Sequence, residues 1–406
     1  MKSAKNWGRL GMKFEMKTKA LRFLSDIQTG PFGSQLHKED YVDDGTPIVT
    51  VEHLGNRVFT EQNLPRVSNE DKQRLSKYIL KEGDIVFSRV GSVDRCSFVD
   101  SRHTDWLFSG RCLRVRPFEE ISPLFLYYFF CLESTKKFMR NIAVGATMPS
   151  INTKLMGEIE VSYPDKQVQE KIANLLGAID DKIELNNAIN DNLEQQAQAI
   201  FRQELLQNGE LPPNWTTGSL LDIADYLNGL AMQKFRPVDG ERGLPVLKIK
   251  ELRQGFCDYS SELCSPNIKP EFIVHDGDVI FSWSGSLLVD LWCGGTCGLN
   301  QHLFKVTSAK YPKWFYYTWT AHHLARFVAI AADKATTMGH IKREDLAKAE
   351  VIIPDVASME RIGGVLQPIY DLVINQRIEN RKLSMLRDSL LPKLMSGELD
   401  VSAIEL

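Results

Sequence analysis

Apolar residues recur at alternating intervals of four and three over two long stretches of this chain, and the two stretches are copies of each other. In 164–211 they fall at Ile172, Leu176, Ile179 and Ile183, then at Leu193, Ala197 and Ile200. In 354–399 they fall at Ile362, Leu366, Ile369 and Val373, then at Leu383 and Leu390. That spacing lays one apolar seam along a helix and predicts a helical partner for it. Each seam is interrupted midway by a polar pair, Asn186 with Asn190 and Gln376 with Asn380. Polar seam residues cost stability but fix register, because any other alignment strands them against apolar side chains. Their position halfway along both helices predicts an antiparallel coiled coil in which the polar layers meet. The copies register at an offset of 190, Pro164 on Pro354 and Asp181 on Asp371, until Gly209-Glu210-Leu211 falls on Gly397-Glu398-Leu399. Asp165 and Asp355, each following a proline, are predicted N-caps. Gly363, Gly364 and Pro368 predict a weak or kinked start to the second helix. Helices of about 35–40 residues at ~1.5 Å rise span roughly 50–60 Å, the length of a spacer.

The segments between the helices alternate apolar and polar residues over short runs punctuated by glycine, proline and serine, as short strands do. Residues 81–92, KEGDIVFSRVGS, and 275–286, HDGDVIFSWSGS, are two versions of one strand entered by a Gly-Asp turn. GTPIVTVEHL after Gly45 answers GLPVLKIKEL after Gly243. Residues 111–116 read as a further strand and 123–139 as an aromatic-rich helix, and 299–306 continues the second module's matching series. The whole chain is a duplication of the α+β class: two similar modules, each followed by a long helix, the helices pairing with each other. The expected boundaries are an N-terminal extension at 1–20, a first module at 21–163, a helix at 164–211, a second module at 212–353, a helix at 354–399 and a tail at 400–406.

Charge sharpens this picture. The net charge of −3 hides a split: 23 Lys and Arg against 18 Asp and Glu in residues 1–150, but 5 against 11 in 151–211. Residues 212–353 balance at 15 each, and 354–406 carry 6 against 8. A basic first module beside an acidic helix permits nucleic-acid contact by modules and protein contact by helices. The content of 43% hydrophobic and 25% charged residues is that of a soluble globular chain. No apolar run suits a membrane span or a secretory signal. Seven scattered cysteines point to a reducing compartment, so the expected location is the cytoplasm.

The GDIVFSRVGS and GDVIFSWSGS strands, the LNQHL turn at 299–303, the TMPSI segment at 147–151 and the terminal LRDSLLPKLMSGELD together resemble the DNA specificity (S) subunit of type I restriction-modification systems. The likeness spans about residues 21–400, and the tandem order of module, helix, module, helix is its specific part. Two features depart from the pattern: the N-terminal extension, and Gly-Leu-Ala at 229–231 where the first copy has Gly-Pro-Phe-Gly-Ser at 30–34. The resemblance implies two target-recognition domains, each reading half of a bipartite, asymmetric site in double-stranded DNA. It implies helices that dock two methyltransferase (M) subunits, with restriction/motor (R) subunits as further partners. No cofactor is expected on this chain; S-adenosylmethionine, ATP and Mg²⁺ are implied for the partners.

A half-site reader needs guanidinium forks for guanine and amides for adenine, carried on loops above a rigid sheet. In the first module the candidates are Ser34, Gln35, His37, Lys38, Arg89, Ser92, Arg95, Arg111, Ser150 and Asn152. In the second they are Gln233, Lys234, Arg236, Lys248, Lys250, Trp283, Ser284, Asn300, Gln301, Thr336, Thr337, His340 and Lys342. Most protein–DNA contacts go to phosphates, so only some of these read bases.

Catalytic motifs fail on inspection. The Pro212-Pro213-Asn214-Trp215 run has the wrong order for an adenine methyltransferase loop and reads as a linker. Pro164-Asp165 with Glu170 and Lys171 has the wrong spacing for a nuclease and reads as a helix start. Cys293, Cys297 and His302 lack a fourth zinc ligand. With these motifs set aside, the resemblance leads to the expectation of a non-catalytic DNA-recognition scaffold. The alternative is a coiled-coil adaptor whose modules grip protein; a self-sufficient modifying enzyme would need motifs that are missing.

Overall fold

The computed structural model describes residues 14–31, 35–206, 211–333 and 340–401. Two compact units divide between Asp181 and Lys182 in the first long helix and between Leu383 and Ser384 in the second. Each unit thus holds one module together with a segment of both helices.

In the first unit a four-stranded antiparallel sheet runs in the order Ser25–Thr29, Cys112–Pro117, Ile85–Ser88, Cys96–Phe98. A second small sheet is built on Thr46–Val49, which pairs parallel with Leu107–Phe108 and antiparallel with Arg66–Val67. In the second unit the matching sheet runs Asp225–Asn228, Leu303–Thr307, Val279–Ser282, Leu288–Leu291. Its small sheet is built on Leu244–Leu247, parallel to Cys297–Leu299 and antiparallel to Leu263–Cys264. The repeated Gly-Asp has one job in both modules. Gly83 and Gly277 take φ of 86° and 84°, left-handed values that suit glycine, and let the chain turn into its strand. The aspartate then closes the turn, with Asp84 Oδ2 accepting from Lys81 N and Asp278 Oδ2 from His275 N, both at 2.8 Å.

Helices Pro123–Cys131 and Lys313–His322 lie against these sheets and bring Phe125, Tyr128 and Phe130, or Trp314, Phe315 and Trp319, into the cores. The long helices Lys166–Leu205 and Val356–Met395 complete both cores. Ile172, Leu176, Leu391, Leu394 and Met395 are buried in the first, and Ala197, Phe201, Ile362, Leu366, Val373 and Tyr370 are buried in the second unit. Ile179 is buried, and Ile183, Leu193, Ile200, Ile369, Gln376, Leu383 and Leu390 are half-buried, so no seam residue faces open solvent.

Within the second unit the helices run antiparallel. Asn186 Nδ2 donates to Asn380 Oδ1 at 2.8 Å, Arg377 pairs with Glu194 at 2.6 Å and Arg361 with Glu204 at 2.7 Å, so one number rises as the other falls. Asn380 Nδ2 in turn donates to Asn187 Oδ1 at 2.8 Å, and Asn186 also donates to Glu379. Asn190 is buried beside them. In the first unit Arg387 pairs with Asp180, which also accepts from the Tyr128 hydroxyl, each at 2.7 Å.

Three expectations change. Lys17–Ala20, assigned above to the extension, is a strand paired with Glu160–Tyr163, as Thr216–Ser219 is with Glu350–Ile353. Most of its side chains point to solvent, so no apolar alternation marks it. The helix expected over 123–139 is two, Pro123–Cys131 and Glu133–Ile142, because Leu132 breaks out at φ −58°, ψ 131°. The first is buried nearly all round, whereas the second is amphipathic and must turn to place Met139 inside. The second long helix runs unbroken through Gly363, Gly364 and Pro368. Burial of Ile362, Leu366 and Tyr370 on either side of the proline holds it helical. The repeat end at Gly209-Glu210 and the terminal residues 1–13 and 402–406 lie outside the described residues.

The amide layer generates a stability prediction. Asn380→Ala takes from the buried Asn186 amide one of its two acceptors, leaving Glu379, and should cost about 1 kcal/mol, read as a lower urea midpoint. The matched replacement N186L/N380L should restore the midpoint, since both partners become apolar together. An unchanged midpoint for N380A would show that the layer contributes nothing to stability.

Candidate nucleic-acid interface

The sheet of each module ends in a cluster of loops, and that end gathers most of the candidates. In the first module Ser88 closes its strand and the Ser88 hydroxyl donates to Val90 O at 2.7 Å. Arg89 N donates to Arg111 O at 2.8 Å and its Nη1 to Gly110 O at 3.2 Å, which sets the two arginines side by side. Val90 bridges to Ser150, and Gly91 N donates to Pro149 O, so the TMPSI segment is stitched to the same turn. Ser92 and Arg111 are exposed there, and Ser150 is half-buried with its hydroxyl on Val144 O. Asn152 caps helix Thr153–Gly157 by accepting from Leu155 N at 2.9 Å. Arg95 is exposed but turns its guanidinium onto Leu54 O. Gln35 and His37 are placed elsewhere: Gln35 accepts from the Tyr78 hydroxyl at 2.6 Å, beside the small sheet, and His37 N donates to Asp40. Lys38 lies in a short helical turn, Lys38–Asp40.

The second module builds the same end from other chemistry. Ser284 bridges to His340, and Ile341 N donates to Trp283 O at 2.9 Å. The Ser284 hydroxyl lies 3.1 Å from His302 Nδ1, and Gln301 Nε2 lies 3.3 Å from His302 Nε2. The Trp283 ring sits 6.1 Å from His302 and 6.3 Å from His340, and its Nε1 donates to Asn228 Oδ1 at 2.9 Å. Ser284 and Asn300 are buried, and they hold the loop, Asn300 Oδ1 accepting from His302 N, instead of facing outward. His302, considered above only as a metal ligand, stands at the centre of this cluster, and Asn228 was not singled out at all. The LNQHL motif contained the signal for His302.

The remaining basic candidates group on the small sheet of the second module. Arg236 and Lys248 both pair with Glu262, and Lys250 reaches Ser260 at 2.8 Å and Asp258 at 3.4 Å. Hydrogen bonds from Ser260 hold the Asp258 carboxyl at about 2, and Lys248 with Arg236 holds Glu262 below the ordinary range. These cations are therefore partly balanced by their own loop. Gln233 and Lys234 are exposed at a short helical turn, and Lys342 precedes helix Arg343–Ala347, its N donating to Asp345. Ser34, Thr336 and Thr337 lie outside the described residues. Among the described residues no group of three His, Cys, Asp or Glu side chains could hold a metal ion, and no helix is long and apolar enough to cross a membrane.

One close approach fixes how the chain enters each cluster. A Cβ on Gly30 would stand 2.1 Å from Ser109 O, and one on Gly229 would stand 2.2 Å from Asn300 O. The two loop starts, GPFGS and GLA, thus make the same contact despite their different sequences.

Two modules of one framework, each completed by segments of two long helices, define a tandem α+β architecture. Residues 15–195 match the family described as the type I restriction modification DNA specificity domain. The chain is 23% identical to the type I restriction enzyme MjaIX specificity subunit of Methanocaldococcus jannaschii, over 95% of this chain and 94% of that one. It is 22% identical to the HindI specificity subunit of Haemophilus influenzae, over 82% and 90%. The crystal structure of a type I restriction-modification S subunit from M. genitalium has the same fold, with a TM-score of 0.61 at 14% identity over 95% of this chain and 97% of that one. Nearly the whole chain is thus similar to type I restriction enzyme specificity subunits, and residues 15–195 match the domain of that family.

Gly229→Ala and Gly30→Ala should each be destabilising by about 1–3 kcal/mol, because the new methyl meets backbone that cannot swing aside. Thermal denaturation of the purified variants measures this; a wild-type melting temperature in both would show that the loops shift freely.

Proposed function

We propose that this chain is the non-catalytic DNA-reading scaffold of its complex. Each module reads one half of a bipartite, asymmetric site in double-stranded DNA. The helices dock two methyltransferase subunits, and, where restriction occurs, motor-nuclease subunits join. S-adenosylmethionine, ATP and Mg²⁺ serve those partners, and the complex acts in the cytoplasm, where the genome is.

The observation that supports this reading most is the contrast between the two loop clusters. The framework beneath them is the same, strand for strand, while the residues on top differ: Arg89, Arg111 and Ser150 in one, Trp283, His302, Gln301 and His340 in the other. A single function exercised on two different half-sites asks for that combination. A guanidinium suits the O6 and N7 of guanine, while a glutamine and imidazoles flanked by an indole suit a more mixed base edge. Loops carry the choice and the sheet holds them still.

Direct single-molecule sequencing of the host genome, with and without this gene, is expected to show loss of one gapped adenine-methylation motif. Exchanging residues 212–353 for the second module of another specificity subunit should change one half of that motif and leave the other. Retention of both halves after the exchange would sink the half-site assignment.

A further inference from the structure

The two modules dock on the helices by different polar contacts, and the second docking has the form of a lever. Strands Val279–Ser282 and Leu288–Leu291 form a hairpin in which Val279 faces Leu291 and Ser282 faces Leu288. One end of this hairpin carries Trp283 and Ser284, in the loop cluster. The other end is gripped by two arginines one turn apart on the second long helix. Arg381 forks onto Asp276, with Nη1 2.7 Å from Oδ1 and Nη2 2.8 Å from Oδ2, and Nη1 also donates to Cys293 O at 2.5 Å. Asp276 additionally accepts from Gly295 N at 2.8 Å, which ties the turn before one strand to the turn after the other. Arg377 Nη1 pairs with Asp290 at 2.7 Å and donates to Leu291 O at 3.3 Å, while its Nη2 pairs with Glu194 of the first long helix at 2.6 Å. Arg377 therefore joins three elements: both helices and the hairpin.

The first long helix carries no arginine at the matching positions. The repeat places Asn187 and Asp191 where the second helix has Arg377 and Arg381. There the module reaches out instead, Arg57 Nη1 meeting Asp181 Oδ1 at 2.6 Å and Gly177 O at 3.2 Å. The arginine clamp is thus not a relic of the shared framework.

We infer that Arg377 and Arg381 are positioning residues that hold the second module's hairpin at one angle on the helix pair, and so restrict the complex to one spacing between its half-sites. The inference rests on the bipartite reading above. A four-residue strand is about 13 Å long at ~3.3 Å per residue. A tilt of about 15° at the gripped end moves the far end by roughly 3 Å, close to the ~3.4 Å rise of one base pair. Two bidentate or bridging guanidinium groups, partly removed from water, resist such a tilt where a single exposed ion pair would not.

The test uses the complete complex, with its methyltransferase subunit, in a host lacking other systems of the type. Genome sequencing reads adenine methylation at the native motif and at the same two half-sites one base pair closer or farther apart. In R377Q/R381Q the ratio of off-spacing to native methylation should rise about tenfold over wild type, with both half-sites unchanged, the effect of a factor of ten in relative binding. Misfolded molecules methylate neither class of site, so the ratio reports only on assembled complex. If the double variant yields no active complex, R381K decides: lysine keeps the charge but loses the fork, and the ratio should rise about threefold. An unchanged ratio in an active variant overturns the inference while leaving the half-site reading intact. Absence of any two-part motif in the wild type overturns that reading, and the inference with it.

Discussion

Burial of the helix seams in the modules is the interaction on which the rest of this structure depends. Neither module closes its own core. The first needs Ile172, Leu176, Leu391 and Leu394, and the second needs Ala197, Phe201, Ile362 and Leu366. Each fully buried aliphatic or aromatic side chain of this kind contributes about 1.5–3 kcal/mol relative to exposure. Most helical stability in a protein comes from tertiary burial of one face, and these forty-residue helices have such a face along both units. This explains why Gly363, Gly364 and Pro368 do not break the second helix: the loss of one backbone hydrogen bond is outweighed by the large side chains around it.

Polar groups add direction to that burial. Apolar seams alone tolerate sliding, since one leucine fits where another did. The Asn186–Asn380–Asn187 network does not, because a shift of one turn would leave several amides without partners in a place water does not reach. Arginines extend the same logic outward. Arg387 binds Asp180, and Arg377 and Arg381 bind Asp290 and Asp276, so the charged groups nearest the seam join helix to helix and helix to module.

The duplication shows which contacts the framework requires and which are free to differ. The Gly-Asp turn and the glycine at each loop start recur because backbone geometry demands them, with Asp84 and Asp278 closing their turns alike. The residues above the sheet do not recur. Arg89 beside Arg111 and Trp283 beside His302 sit at the same end of the same sheet, and nothing in the framework selects between them.

The sequence alone determined the duplication, the helix pair and its polar layer, because these are periodic: a seam every three or four residues, and a copy 190 residues on, can be read without knowing any contact. The same reading put Arg89, Arg111, Ser150, Trp283 and His340 on loops, and the fold gathers them at one end of each sheet. Only the tertiary structure decided what depends on contacts between distant residues. Lys17–Ala20 became a strand because Glu160–Tyr163 pairs with it, and its own pattern is silent. His302 became central because Ser284, Gln301 and Trp283 converge on it, while Ser284 and Asn300 turned inward to hold that loop. Lys248 and Arg236 are each paired with Glu262, which precedes strand Leu263–Cys264. Periodicity is local and survives in one dimension; pairing, burial of a polar group and neutralisation of a charge each need a second residue whose position only the fold supplies.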